Sequence, residues 1–152
     1  MPSSARNVFF GRITQVHQTP LLTEISLLAE GNHEVVSIIT SESFEQLALA
    51  EGEPVMAMIK APGVLLGKEG PKGAISARNC FLGRVTGIRR DGAVVEVLGD
   101  LDDGTPMCAL CTAESLDRLD IKENDPVWFF FKSIGVILSA ENRQHEEAAS
   151  GQ

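Results

Sequence analysis

Long apolar runs are missing from this sequence. Nowhere do about eighteen apolar residues follow one another, so no membrane-spanning helix is expected. The N-terminus has no charged segment leading into an apolar one, which leaves out a secretory signal and sets the expectation of a cytoplasmic protein. Basic residues are in the minority, 13 Lys and Arg against 21 Asp and Glu, and the formal net charge is −8. So acidic a chain is a poor partner for a nucleic-acid backbone. Aromatic side chains make up only 5% of the residues and are scarce at alternating strand positions, which weakens the case for a base-stacking platform for single strands; Trp128 and Phe129-Phe130-Phe131 read better as barrel core or subunit contact. No glycine-rich phosphate loop occurs, and no nucleophile, base and orienting acid come together, so an enzyme is not expected and no organic cofactor is implied.

What is present is a repeat. Ser4-Ala5-Arg6-Asn7 returns letter for letter as Ser76-Ala77-Arg78-Asn79, a displacement of 72 residues. At the same displacement Gly11 and Arg12 become Gly83 and Arg84, Thr14 becomes Thr86, Thr40 becomes Thr112 and Ser43 becomes Ser115. Pro54, Lys60 and Gly63 become Pro126, Lys132 and Gly135. Between Ser4 and Leu66, 20 of 63 residues are identical to the residue 72 further on, and many of them are polar and sit at segment edges. Packing alone would not ask for those, so the pattern suggests one unit written twice with a doubled binding site. Units of roughly 65 residues are near the lower limit for a self-sufficient core, which makes an oligomer the expectation. The histidines do not take part in the repeat, since His17 aligns with Arg89 and His33 with Thr105. Cys80, Cys108 and Cys111 replace Val8, Val36 and Ile39 of the first unit. Cys108 and Cys111 have a C-x-x-C spacing, but on a strand residues three apart face opposite ways, and no further ligand pair completes a metal site.

The same elements can be read in both units. Residues 8–14 and 80–86 are β-branched and aromatic, and Gly11 and Gly83 within them suggest a bulge or sharp coil. Asp91-Gly92 marks a hairpin to the second strand, and a third strand covers residues 34–39 and 106–111. Thr40 and Thr112 stand where a helix N-cap belongs, and the helix, from about Ser41 to Ala50, is expected to stop near Gly52, with Asn124 as counterpart. A strand over 55–60 and 127–132 ends on a lysine both times, and a turn and closing strand follow. Five strands with one short helix between the third and fourth is the order of the oligonucleotide/oligosaccharide-binding barrel. The expected fold is all-β, two tandem five-stranded Greek-key barrels, each with one short helix. The domains are 1–67 and 75–140, joined by a linker over 68–74 and followed by a polar, disordered tail over 141–152.

Arg6 and Lys60 are cations, and Ser4, Thr40 and Ser43 carry hydroxyls; all can donate to a small anion, and all are repeated. Each also has a purely structural explanation. The threonines and serines can be helix caps, the arginines can pair with acidic residues, and the lysines can guard strand edges. Copied twice while the surrounding core drifts, the set points to an oxyanion site.

Ser-Ala-Arg-Asn followed by Phe-x-Gly, the Ile-Thr-x-x-Ser helix start over 39–43, Ile59-Lys60-Ala61 and Val64-Leu65-Leu66 resemble the Mop family of molybdate-binding domains. Two in tandem resemble a di-domain molbindin. The resemblance implies a cytoplasmic protein binding molybdate or tungstate for molybdenum storage and homeostasis, assembled as a trimer. A detached sensing module working with a separate transcription regulator or transporter is the alternative. The ligand contacts it implies are Ser4, Ala5, Arg6, Thr40, Ser43, Lys60 and Ala61, then Ser76, Ala77, Arg78, Thr112, Ser115, Lys132 and Ser133, with sites shared across domain contacts. No residue is implied as a direct protein ligand to a metal ion.

Overall fold

The structure is a computed structural model that describes residues 5–70 and 75–140. Ser4, part of the linker and the whole tail expected over 141–152 lie outside the described residues. The first repeat contributes β1 (Asn7–Gln18), β2 (Leu22–Ala29), β3 (His33–Thr40), α1 (Ser41–Leu47), β4 (Pro54–Ile59) and β5 (Leu65–Gly67). The second contributes β6 (Asn79–Asp91), β7 (Val94–Leu101), β8 (Pro106–Thr112), α2 (Ala113–Leu119), β9 (Pro126–Phe131) and β10 (Ile137–Ser139). These form two curled five-stranded antiparallel sheets, with strand orders β10-β4-β1-β2-β3 and β5-β9-β6-β7-β8. This is the all-β paired-barrel architecture, each with one short helix between its third and fourth strands.

The closing strands are exchanged. β10 pairs with β4, Leu138 opposite Ala57 and Ser139 opposite Met56, whereas β5 pairs with β9, Gly67 opposite Trp128. The described residues accordingly separate into one compact unit built on Ile59–Lys132 with Ala5–Asn7, and another built on Val8–Met58 with Ser133–Ala140. Sequence repeats and compact units are thus different sets of residues. Side-chain volume fits this pairing, because a Cβ on Gly67 would lie 2.8 Å from the Phe130 ring. Only a glycine lets the short β5 lie against the bulky β9.

Each unit has its own core. Ile25, Leu27, Val35, Val55 and Ala57 fill one, and Val85, Val95, Val97, Phe129 and Phe131 fill the other. The three phenylalanines of β9 suggest a larger core in the second repeat, but the volume is compensated. Leu27 and Ala57 of one unit correspond to Gly99 and Phe129 of the other, and a Cβ on Gly99 would sit 2.6 Å from the Phe129 ring. A large-plus-small pair has become a small-plus-large one, the kind of exchange cores tolerate best.

Three local expectations are revised. The strand irregularity falls between Ile13 and Gln15 and between Val85 and Gly87, at Thr14 and Thr86 rather than at the glycines. Gly11 and Gly83 serve a close approach instead: a Cβ there would meet the Leu28 carbonyl oxygen at 2.3 Å or the Asp100 carbonyl oxygen at 2.6 Å. The helices end earlier than expected, capped by Ala48 and Asp120 in the left-handed conformation. Gly52 and Asn124 are also left-handed, φ 85° and 73°, but belong to the turn that leads into the fourth strand. Lys60 and Lys132 stand one residue beyond their strands, each followed by a 3₁₀ turn, Ala61–Gly63 and Ser133–Gly135.

Candidate functional site

Thr40 leaves β3 in extended conformation and caps α1. Its Oγ1 accepts the Ser43 backbone N–H at 3.1 Å and donates its own hydrogen to Ser43 Oγ at 2.8 Å. Thr112 and Ser115 repeat both contacts, at 3.1 and 2.9 Å. The consequence is chemical. Because the serine oxygen already accepts from the threonine, the serine hydrogen is left to point elsewhere, so the cap turns Ser43 and Ser115 into oriented outward donors. Capping and anion binding therefore do not compete for these residues. Each helix has only 7 residues, so the hydroxyls and the cations, more than the helix dipole, must carry any attraction for an anion.

The unit built on Ile59–Lys132 contains Arg6, Lys60, Ala61, Thr112 and Ser115, drawn from both repeats. The 3₁₀ turn Ala61–Gly63 packs on β8, the strand that Thr112 terminates, with Ala61 buried and Lys60 exposed. Arg6 donates from Nη1 to Glu96 at 3.2 Å. In the other unit the 3₁₀ turn Ser133–Gly135 packs on β3, the strand that Thr40 terminates. A cavity of about 460 Å³ lies there, lined by Ile39, Thr40 and Ser43 on one side and by Ile134, Val136, Ile137 and Leu138 on the other. Ser133 is buried beside it in sequence, whereas Ser76, Arg78 and Lys132 are exposed and Ala77 is buried. The cavity exceeds the size of one tetrahedral anion, and apart from the two hydroxyl side chains its wall is apolar. Leu22, Ile134 and Ile137 on that wall are 51%, 69% and 44% exposed.

Two residues escaped the sequence reading of the site. Asn7 is fully buried; its Nδ2 donates to the carbonyls of Ile59 and Cys108 at 3.1 and 2.9 Å, and its Oδ1 accepts from the Cys108 N–H at 2.7 Å. It ties the segment carrying Arg6 to β8 and to the residue before Lys60. Glu96 is the other. The signal for both was their identity with Asn79 and Glu24 at the same displacement of 72.

Three other repeated polar residues have structural partners. Arg12 donates to the Gly52 carbonyl at 3.2 Å and Arg84 to the Asn124 carbonyl, each holding the left-handed turn before the fourth strand. Thr14 donates to the Ser26 carbonyl at 3.2 Å. The cysteine thiols are free, and burial raises the pKa of Cys80, Cys108 and Cys111, which disfavours the thiolate needed for metal binding or nucleophilic chemistry. Cys108 is buried and Cys111 partly exposed, on a strand that turns them to different faces.

Comparison with known proteins bears on what this arrangement holds. The molybdenum-pterin-binding protein MopA of Rhodobacter capsulatus is 35% identical over 143 residues, covering 91% of this chain and 52% of MopA. The molybdenum transport protein ModE of Azotobacter vinelandii is 33% identical over 139 residues, covering 91% of this chain and 51% of ModE. The chain thus spans about half the length of the curated relatives it matches. Among solved structures, the cytoplasmic molybdate-binding protein ModG with molybdate bound superposes with a TM-score of 0.88 at 33% identity, over 91% of this chain and 99% of ModG. The TOBE domain model matches twice, over residues 3–66 and 75–138. By that double match across most of its length, this chain belongs to the TOBE domain family.

Proposed function

We propose that this chain binds molybdate, with tungstate as the closest substitute, and acts as a cytoplasmic store that buffers molybdenum. The observation that carries the reading is the likeness to molybdate-bound ModG over almost the whole of both chains. Its chemistry is supported by the duplicated Thr-to-Ser hydroxyl relay, which leaves Ser43 and Ser115 oriented as donors. The groups we assign to the anion site are those the repeat singles out: Ser4, Ala5, Arg6, Thr40, Ser43, Lys60 and Ala61, with Ser76, Ala77, Arg78, Thr112, Ser115, Lys132 and Ser133; Thr40 and Thr112 act through their serines, to which each gives its one hydroxyl hydrogen. Hydrogen bonds to a charged partner contribute about 1.5–3 kcal/mol each, so a handful of such donors suffices to hold a dianion without a metal or organic cofactor. Binding rather than catalysis is the role. The exposed apolar wall around Thr40 and Ser43 supports a trimer, in which other copies cover that wall and supply the donors one unit lacks.

Equilibrium dialysis against molybdate, tungstate, sulfate and phosphate at neutral pH tests this. Retention of several anions per assembled particle, with molybdate and tungstate preferred, is expected; no retention of any tetrahedral anion overturns it. The likeness to ModE favours a second reading, a sensing module working with a separate regulator or transporter. Molybdate should then change the chain's elution on size exclusion, whereas a simple store elutes alike with and without it.

A further inference from the structure

Strands β2 and β7 occupy equivalent places in the two repeats, 8 residues each, and Glu24 and Glu96 are the one position at which they agree. A carboxylate is an odd residue to keep beside a site for dianions. Simple electrostatics would remove it. The structure shows what Glu96 touches. Oε2 lies 3.2 Å from Arg6 Nη1, and Oε1, buried and without a hydrogen bond, lies 3.5 Å from Arg89 Nη1. Arg89 stands directly across from Glu96 on β6, where an opposite charge stabilises the pair. On the other side Glu96 is opposite Leu110 of β8, while Val94 is opposite Thr112. Residues two apart on a strand share a face, so Glu96 stands on the face of the sheet that carries Thr112, one side-chain repeat or about 7 Å away. Asn7, the neighbour of Arg6, hydrogen-bonds the Cys108 backbone through both ends of its amide, which places the Arg6 segment beside this stretch of β8.

We propose that Glu96 is a positioning residue for oxyanion binding: held in place by Arg89, it fixes the Arg6 guanidinium on the Thr112 face, where the guanidinium's remaining N–H groups are free to meet the anion. The inference rests on the molybdate reading above. Arg6 is a long side chain with half of its surface exposed, and unpaired it would spread over many rotamers. Glu96 engages one nitrogen of a fork that carries five N–H donors. The net charge of the row Arg6, Glu96 and Arg89 is still positive, so the carboxylate orders the cation without cancelling the site. Arg89 is not repeated, since His17 takes its place, and the proposal therefore concerns the unit containing Thr112.

The test uses the full chain, molybdate as the probe and titration calorimetry, with Glu96→Gln, Arg6→Ala, the double variant and Glu96→Asp. Glu96→Gln keeps the shape and should melt within a few degrees of wild type. If Glu96 positions Arg6, Glu96→Gln weakens the affected half of the sites about tenfold, Glu96→Asp recovers part of that loss, and the double variant binds no worse than Arg6→Ala alone. If the carboxylate were only a nearby negative charge, Glu96→Gln would bind molybdate more tightly; that result, unchanged binding, or additive losses in the double variant would overturn the proposal while leaving the molybdate reading standing. A wild-type chain that takes up no molybdate overturns both.

Discussion

Thr40 and Ser43 allow capping and ligand binding to be separated by two substitutions in one turn. Thr40→Val keeps the side chain's shape but removes the oxygen that accepts the Ser43 N–H at 3.1 Å. Losing an N-cap costs about 1 kcal/mol, which in chains of this size moves the melting temperature by roughly 2–8 °C. Ser43→Ala leaves that capping bond in place and removes only the outward hydroxyl. Its stability should stay within about 0.5 kcal/mol of wild type, because the residue is exposed. Its affinity for molybdate should not. One lost hydrogen bond to a charged ligand is worth about 1.5–3 kcal/mol, or about 10- to 150-fold in dissociation constant at the affected sites. Thermal melts and equilibrium dialysis on the same preparations give both numbers, with Thr112→Val and Ser115→Ala repeating the comparison in the other unit. If Ser43→Ala bound molybdate as wild type does and only Thr40→Val lost stability, the hydroxyl relay would be a helix cap and nothing more.

Replacing Asn7 with Ala should cost about 3 kcal/mol or more in chemical denaturation, since it strands the Cys108 N–H and two carbonyls that now have a buried partner. Phe129→Ala should cost about 3–5 kcal/mol, and adding Gly99→Leu should not recover it, because even without the ring the new Cβ meets the Arg84 carbonyl oxygen at 2.7 Å. Gly11→Ala should destabilise far more than Gly52→Ala, as the first drives a methyl into the Leu28 carbonyl while the second meets nothing within 4 Å and pays only for its left-handed backbone. Burial raises the three thiol pKa values, so the folded chain holds those protons longer than the unfolded one. That contribution is complete below the ordinary thiol range and is lost as the pH rises through the folded values; melting temperature should fall on the alkaline side, and alkylation by iodoacetamide at neutral pH should be slow until the chain is unfolded.

Much of the fold was legible because it is written twice. A strand or a cap proposed in one repeat could be checked against its counterpart, and the threonine caps, the 3₁₀ turns after the lysines and the left-handed Gly52 and Asn124 all stand at equivalent places. What was not legible depends on partners distant in sequence. β5 and β10 have only 3 residues each, and nothing local says which fourth strand each will join. The exchange becomes intelligible only when Gly67 is seen against Phe130. The same holds for the bulge. A glycine in a strand signals either an extra residue or a close neighbour, and the Leu28 carbonyl over Gly11 decides for the second. Within the site, Thr40 and Ser43 could be named from their spacing, whereas Glu96 looked like an ordinary strand carboxylate until Arg6 was found on it.

If the chain binds molybdate as proposed, the repeated donors surround an oxyanion. Crystals grown with molybdate and measured at the molybdenum absorption edge would locate the metal directly in an anomalous difference map. Peaks are expected within hydrogen-bonding reach of the Ser43 and Ser115 hydroxyls, with a cationic side chain beside each. Peaks only at other places, or a map without any, would contradict that arrangement.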